Sequence, residues 1–469
     1  MMHDLKDKKV LVIGLGRSGV AAARFCASAG ARVTATDKKS AEELSDALAS
    51  LSAHDIIFSL GSYDSELPAA NDLIVISPGV PLDLPGLDAA RSRGAEIVGE
   101  LELAVRCIDT PVIAVTGTNG KTTTTALTGH LLETSGIKAC VAGNIGTPLL
   151  DVLDDANGSD VVVLEVSSFQ IDTAPSLVPH IAIWLNTTQD HLDRHGTFEN
   201  YVASKARLME RVPSDGFGIY NAADEAVVQA SISQRCRLIP FDATGRILGL
   251  HRGGETESKP GRAWYGDGSL WIHAPGGSPN RYSLADVKLE GPHNRENMLA
   301  ALMAAELAGA DPADLADGLS SFKGLPHRVE FVTEARGVRY YDDSKGTNIG
   351  ATIRALEGFA EPIVLIAGGL SKGVDFAPLA SHVKGKVKKA ILIGESALTL
   401  QAVLAPHTST VLAKSMDEAV TIAFRTAEPG DVVLLSPACA SFDMFKDYAD
   451  RGRAFVDAVR ALEIKAGKT

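Results

Sequence analysis

The sequence predicts an α/β protein whose mostly parallel sheets are layered with helices, and three observations predict it. Apolar runs of four to six residues alternate with helical patterns almost from end to end. Two of these runs enter glycine turns that open directly into helices, "VIGLGRSG" at 12–19 and "VTGTNGKTT" at 115–123. With 469 residues the chain is also long enough for two to four domains, each with its own core. Three blocks follow: a Rossmann-like N-terminal domain over 1–109, a central P-loop ATPase-like domain over 110–324 and a C-terminal Rossmann-like domain over 325–469.

In the first block the strands fall near 10–13, 32–36, 56–59 and 73–76. The second block opens at Pro111 and carries strands at 112–115, 161–166, 181–185 and 218–220. Residues 242–288 differ from their surroundings. They are rich in glycine and turn residues, with Trp264 and Trp271 on short alternating runs, which reads as a small antiparallel excursion. A helical pattern at "HNRENMLAALMAAELAGA" then returns the chain to the sheet, and the third block has strands at 338–341, 363–367, 390–393 and 432–435.

Composition narrows the function classes. Hydrophobic residues make up 45% and charged residues 22%, the balance of a soluble globular protein. A net charge of −13 argues against a surface that tracks nucleic acid, since such surfaces cluster Lys and Arg. No apolar run reaches the roughly 18 residues of a membrane span. The first apolar stretch is broken by Gly14, Gly16 and Arg17, so it reads as a strand and not as a signal peptide. Five widely spaced cysteines without a CxxC pair suit buried free thiols in a reducing cytosol.

The loop "TGTNGKTT" is built to hold phosphate. Backbone N–H groups around Gly117, Thr118, Asn119 and Gly120 are expected to face phosphate oxygens, with Lys121 adding a full charge and the helix adding its positive end. Thr122 would set its hydroxyl on Mg²⁺, and Thr123 continues the helix start. A strict GxxxxGK[ST] loop has glycine where this chain has Val115, so the loop is a variant. Glu165 ends the run "VVVLE"; a carboxylate buried there needs a cation nearby.

The earlier turn matches GxGxxG at Gly14, Gly16 and Gly19, with Asp37 closing the next strand. Alone it suggests NAD, with Asp37 on a ribose hydroxyl. No hydride-transfer constellation accompanies it, however. The two loops together suggest ATP at the central one and a second nucleotide, the handle of the substrate, at the first.

In order along the chain stand "GTNGKTT" (117–123), "GNIG" (143–146), "EVSSFQ" (165–170), "DHLDRHG" (190–196) and "YVASKARL" (201–208). After them come "GPHNRENMLAA" (291–301), "GLPHRVE" (324–330), "DDSKGTN" (342–348), "GGLSKGVDF" (368–376) and "LSPACASFDMFKDYADRG" (435–452). Nearly end to end, this set resembles the Mur ligase family, the ATP-dependent amide-forming enzymes of peptidoglycan assembly. Within it the chain looks most like the branch that adds D-glutamate to UDP-N-acetylmuramoyl-L-alanine.

The resemblance implies an acyl-phosphate route with ATP, two Mg²⁺ ions (Mn²⁺ as a substitute) and a carbamate derived from CO₂ on Lys205. It implies Lys121, Glu165, His191, Lys205 and Lys345 as catalytic residues, and Thr122, Glu165, His191 and Lys205 as metal ligands. Asn294 and Asn297 would meet adenine, with Arg328 and Asp343 approaching ATP. Leu15, Gly16, Arg17 and Ser18 would hold the diphosphate and Asp37 and Lys38 the uracil. Ser77 and Gly79 would form a further wall, and Asn144 would meet the sugar. D-glutamate would lie against Thr347, Lys372, Ser441, Phe442 and Tyr448. Tyr448 stands where the family has Phe, and Met444 where Gln is usual. The resemblance further implies a cytoplasmic monomer acting in cell-wall synthesis, and so in cell shape and division, with neither nucleic acid nor membrane as partner.

Three other readings stay open on the residues. A folylpolyglutamate synthase-like ligase lacks a nucleotide domain like the first block. A dehydrogenase would bind NADH and tolerate loss of Lys121. A nucleotide-regulated binding protein would release no phosphate.

Overall fold

In the first strand, Val10 and Val12 point into one buried cluster while Leu11 and Ile13 point into another. A strand buried on both faces belongs inside a parallel sheet covered by helices on either side. The computed structural model describes residues 5–144, 146–245, 261–289, 291–371 and 373–466. The first sheet is wholly parallel: β1 (Lys9–Ile13), β2 (Arg32–Asp37), β3 (Ile56–Leu60), β4 (Leu73–Ile76) and β5 (Glu96–Gly99) stand in the order β3-β2-β1-β4-β5. The order reverses at β1, so the crevice at the carboxyl ends of β1 and β4 is where a doubly wound sheet binds ligand.

The second sheet has nine strands. They are β6 (Val112–Thr116), β7 (Ala139–Gly143), β8 (Val161–Glu165), β9 (Ile181–Trp184), β10 (Phe217–Asn221), β11 (Arg237–Asp242), β12 (Arg262–Gly266), β13 (Ser269–His273) and β14 (Asn280–Ser283). Their order is β14-β13-β12-β11-β10-β9-β6-β8-β7. From β7 to β12 the neighbours are parallel, and β12, β13 and β14 are antiparallel. The expected excursion is therefore an extension of the central sheet. Asp267 and Gly268, both with positive φ, make the two-residue turn of its first hairpin.

The third sheet holds β15 (Glu330–Ala335), β16 (Val338–Asp342), β17 (Ile363–Gly368), β18 (Val387–Ile393), β19 (Ser409–Leu412) and β20 (Val432–Leu435), ordered β15-β16-β20-β17-β18-β19. Only β15 is antiparallel to its neighbour. Ile363, Leu365, Val432 and Leu434 fill one face of it and Val364, Ile366, Val433 and Leu435 the other.

The twelve strands expected from the sequence all exist. Those not foreseen include β5, β7, β15 and β19, which lie at or beside sheet edges, and their mixed composition, as in "EIVG" or "STVL", blurs the apolar signal. By compactness the chain separates into two units, Met1–Asp286 with Glu296–Ser321, and Val287–Arg295 with Phe322–Thr469.

Two acidic residues just after β5 explain why the first two sheets belong to one unit. Glu100 is buried, and its Oε1 accepts the N–H of Leu150 at 3.0 Å. Glu102, also buried, accepts the N–H of Ser176 at 2.8 Å and pairs with Arg106. Oε2 of Glu100 is buried without a partner, and burial pushes this carboxyl up to about 7. The folded state thus holds the proton more tightly than the unfolded chain, so stability is fullest below the ordinary carboxyl value and falls as pH rises toward 7. Glu100→Gln removes the charge and keeps the acceptor. Its thermal midpoint should match the parent near pH 4.5 and exceed it increasingly up to pH 8, with a gain in unfolding free energy of roughly 3 kcal/mol at the plateau. Equal midpoints at every pH would show that the carboxyl is not the strained group.

Candidate active site

Strand β6 ends in Thr116, and the chain turns through Gly117 (φ 154°) and Gly120 (φ 85°) into the helix Lys121–Thr134. Four consecutive threonines are weak intrinsic helix formers. Here Thr122, Thr123, Thr124 and Thr125 are all buried, so packing holds the helix together. A Cβ on Gly120 would lie 2.3 Å from Oδ1 of Asn297. Asn297 itself is buried and accepts from the Thr124 hydroxyl at 3.3 Å. Asn294 is three residues earlier on the helix Pro292–Leu307, and is buried as well.

The loop's N–H groups divide into two sets. Thr118 N–H donates to the Asn186 carbonyl at 3.0 Å and Asn119 N–H to Asn186 Oδ1 at 2.9 Å. Asn186 Nδ2 returns a bond to the Asn119 carbonyl at 3.0 Å. Those two donors are therefore used within the protein, and the turn is braced from Asn186. Asn186, part of "NTTQD", was not singled out from the sequence; its position right after a buried strand next to the loop strand was the available signal.

The cations converge on the opposite side of the turn. Lys121 Nζ donates to the carbonyls of Gly117 at 2.8 Å and Thr118 at 2.9 Å. Lys205, on the helix Phe198–Glu210, reaches the same Gly117 carbonyl at 2.9 Å. Lys205 is 1% exposed and lies 4.6 Å from the ring centroid of Tyr201. Burial, with Lys121 beside it, holds its amine well below the ordinary lysine range. A fully buried amine of this kind favours the neutral form, which is the nucleophilic one.

Glu165 ends β8 and is buried. Its Oε1 accepts Asn144 Nδ2 at 2.7 Å, while Oε2 is buried without a partner. An orphaned buried carboxylate oxygen fits a divalent cation at this place. Asn144 thus turns its amide toward Glu165, whereas a contact with the sugar was expected of it. His191 adopts a left-handed backbone (φ 53°) and packs edge-on against Phe169 at 5.0 Å. Its N–H donates to Oδ1 of Asp190 at 2.9 Å. Among the described residues, the trio of His, Glu and Asp ligand atoms lying within 4.8 Å is His327, Glu330 and Asp342, in the other unit. It is internally satisfied: His327 Nδ1 is 2.6 Å from Asp342, and Glu330 accepts the His327 N–H at 2.8 Å.

In the first sheet, Gly14 (φ 89°) would drive a Cβ to 2.8 Å from Val80, and a Cβ on Gly19 would meet the Gly14 carbonyl at 1.8 Å. Asp37 accepts the N–H of Leu15 at 2.7 Å and that of Lys39 at 2.9 Å, so its carboxylate shapes the turn. Leu15 is buried, leaving only its backbone to face a ligand, whereas Gly16 and Arg17 are exposed and Ser18 half-buried. Ser77 donates its hydroxyl to the Gly14 carbonyl at 2.8 Å, which joins the two walls. Between them lies a cleft of about 190 Å³ lined by Gly14, Thr36, Asp37, Lys38, Tyr63 and Gly79 among others. Tyr63, unmarked in the sequence, adds an aromatic wall there.

In the second unit, Asp343 is buried and accepts the Ser436 hydroxyl at 2.7 Å; burial pushes it up to about 7. Arg328 sits between two left-handed residues, His327 (φ 62°) and Val329 (φ 48°). Lys345 Nζ lies 3.0 Å from the Tyr448 hydroxyl and 4.2 Å from its ring centroid. The hydroxyl that distinguishes tyrosine from the family's phenylalanine is therefore engaged by this lysine. Met444 packs into the core of the third sheet. Thr347 is half-buried, Ser441 is buried and Phe442 is 68% exposed. Lys372 lies outside the described residues.

A strand, a glycine turn and a lysine-opened helix form a loop of the phosphate-binding kind, and the same unit holds a second cleft beside another glycine turn. Three family models match in succession: the MurD-like N-terminal domain at 8–99, the Mur ligase middle domain at 115–305 and the Mur ligase glutamate ligase domain at 327–439. The chain belongs to the Mur ligase family. Its relatives include the UDP-N-acetylmuramoylalanine–D-glutamate ligase of Geotalea daltonii, 43% identical over 98% of both chains. The enzyme of the same name from Pelotomaculum thermopropionicum is 43% identical over 99% of this chain and all of its own. Among solved structures, the UDP-N-acetylmuramate–alanine ligase of Thermotoga maritima shares the fold, with a TM-score of 0.60 at 19% identity over 97% of this chain and all of that one.

Gly120→Ala tests the turn. The left-handed backbone and the 2.3 Å approach to Asn297 should lower affinity for ATP roughly tenfold or more by calorimetry. Gly94→Ala, also at positive φ but with open space around it, should leave ATP affinity unchanged.

Proposed function

We propose that the protein joins D-glutamate to UDP-N-acetylmuramoyl-L-alanine at the expense of ATP, in peptidoglycan precursor synthesis. One observation carries the chemistry: Lys121 and Lys205 meet at the Gly117 carbonyl, and Glu165, with an unpartnered buried oxygen, ends the strand that pairs with the one leading into that turn. The names of the relatives supply the substrates.

The substrate's alanyl carboxylate attacks the γ-phosphoryl of ATP, giving an acyl phosphate and ADP. The amine of D-glutamate then adds to that acyl carbon, and phosphate leaves as the amide forms. Both steps bring anions together, so the protein's task is to position them and neutralise charge. Lys121 and the helix start face the β- and γ-phosphates, and Gly117, Thr118, Asn119 and Thr123 shape the loop around them. Asn294 and Asn297 take the adenine, while Arg328 and Asp343 close on the phosphates. Thr122, Glu165, His191 and a carbamate on Lys205 would hold two Mg²⁺ ions, which supply Lewis-acid neutralisation of the phosphates when bound. Lys345 orients the phosphorylated substrate. D-glutamate lies among Thr347, Lys372, Ser441, Phe442 and Tyr448.

The uridine diphosphate handle occupies the cleft at Leu15, Gly16, Arg17, Ser18, Asp37, Lys38, Ser77 and Gly79, and the sugar lies near Asn144, whose amide N–H is held by Glu165 and whose carbonyl edge is the one offered to it. The three sheets correspond to domains with boundaries near 109/110 and 324/325. No helix among the described residues is long and apolar enough to cross a membrane, and the net charge is −13. A cytoplasmic monomer without a nucleic-acid partner accords with both.

Phosphate release should require ATP, Mg²⁺, UDP-N-acetylmuramoyl-L-alanine and D-glutamate together. Replacing D-glutamate by L-glutamate, L-lysine or diaminopimelate should abolish it, and equal turnover with any of these would overturn the assignment. Lys205→Ala should lose roughly a hundredfold or more in kcat, in line with removal of a group that stabilises developing charge. Acetate, or Lys205→Glu, should restore part of that. Full activity in the alanine variant would remove the carbamate from the mechanism.

A further inference from the structure

Arg194 belongs to none of the sets named above, yet it bonds to a wall of the first cleft and lies over the ring that packs on His191. Its Nη1 donates to the carbonyl of Val80, and its guanidinium lies 4.8 Å from the ring centroid of Phe169. Both partners belong to the same unit as Arg194. Val80 lines the cleft of the first sheet, and its Cγ2 stands where a side chain on Gly14 would be. Phe169 packs edge-on against His191 at 5.0 Å and stacks on His195 at 5.4 Å, with a 16° interplanar angle. His195 in turn lies 3.0 Å from the buried Ser168 hydroxyl and 5.1 Å from the ring centroid of Tyr201, whose hydroxyl is 3.2 Å from that of Thr118 in the phosphate loop. A continuous set of contacts therefore leads from the cleft wall through Arg194 to the loop that carries His191.

Other features of the molecule carry less. The stacked pair Trp264 and Trp271 has Arg262 and Arg281 over its rings. The His327–Asp342 pair is satisfied within itself. A guanidinium suits the coupling task, because its planar fork can hold a carbonyl at one edge while its face lies on an aromatic ring.

We propose that Arg194 is a positioning residue that couples occupancy of the first cleft to the order of the loop carrying His191. This rests on the reading of the cleft as the uridine diphosphate site. Binding energy from a remote handle raises turnover only if it is transmitted to the reacting centre, and Arg194 is a polar link from the cleft wall to the segment that carries His191. Filling the cleft fixes the Ser77–Val80 wall, the wall fixes the guanidinium, and the guanidinium fixes Phe169 and with it His191.

The test uses the full-length enzyme and UDP alone as probe, followed by hydrogen–deuterium exchange. In the parent, UDP should slow exchange both in 77–81 and in 190–196. In Arg194→Met, UDP should still protect 77–81 while protection of 190–196 is lost. With all substrates present, kcat of Arg194→Met should fall roughly ten- to hundredfold, the cost of a reacting group held out of place, while KM for ATP is unchanged. Arg194→Lys, which keeps a cation over Phe169, should fall between parent and methionine variant. Phe169→Leu should reproduce the loss without adding to that of Arg194→Met in the double variant, and it carries the test should the methionine variant fail to fold.

Equal protection of 190–196 in parent and variant would overturn the coupling, as would parental protection confined to 77–81. A loss of kcat matched by a loss of ATP affinity would assign Arg194 a general structural role instead. If UDP protects neither segment in the parent, the uridine cleft itself is wrong, and the coupling falls with it.

Discussion

The carbonyl of Gly117 is the point on which the catalytic region is organised. It accepts from Lys121 and from Lys205, so one backbone oxygen gathers two amines that would repel each other in the open. This arrangement requires the positive φ of Gly117, which turns the carbonyl away from the sheet. It also accompanies burial of Lys205, which with Lys121 alongside holds that amine well below the ordinary lysine range. Asn186 secures the other half of the turn by taking the N–H groups of Thr118 and Asn119. The loop is thus held in shape by bonds internal to the protein and meets a nucleotide already formed.

The first sheet uses a related device with a different anchor. Asp37, at the end of β2, accepts two backbone N–H groups and so sets the conformation of the glycine turn after β1. Ser77 then ties that turn to the segment after β4. In both sheets a polar side chain at or just beyond the end of a neighbouring strand fixes the turn by accepting one of its backbone N–H groups. A dinucleotide fingerprint consequently fits a nucleotide handle without any apparatus for hydride transfer.

Of the seven non-glycine residues with positive φ among those described, Asp7, Asp267 and Arg336 sit in turns, and His191, His327, Val329 and Ala438 lie at or beside proposed site residues. For a β-branched residue such as Val329 this conformation is costly. Each of these four flanks a segment carrying a proposed ligand contact: His191 itself, Arg328 between His327 and Val329, and Ser441 shortly after Ala438. Neighbouring bonds hold these conformations. Lys345 N–H donates to the His327 carbonyl at 3.0 Å and Ala438 N–H to that of Gly346 at 2.9 Å.

The sequence by itself determined the layering, the twelve strongly apolar strands, the two glycine turns and the family, because each rests on local pattern or on motifs read in order. It also marked Glu165 and Lys121, whose neighbours in the chain give them away. Tertiary structure alone decided that 262–283 continues the central sheet, since pairing with β11 is a contact between distant segments. It alone showed that Asp37 and Asn144 bond to protein groups, that Lys205 is sealed from solvent, and that Asn186 braces the loop while Tyr63 and Val80, the partner of Arg194, line the first cleft. A lysine followed by "ARL" looks the same on an exposed helix as on a buried one. What separates the two cases is which distant backbone oxygen lies above it, and that depends on how the sheet and its helices close around the Gly117 turn.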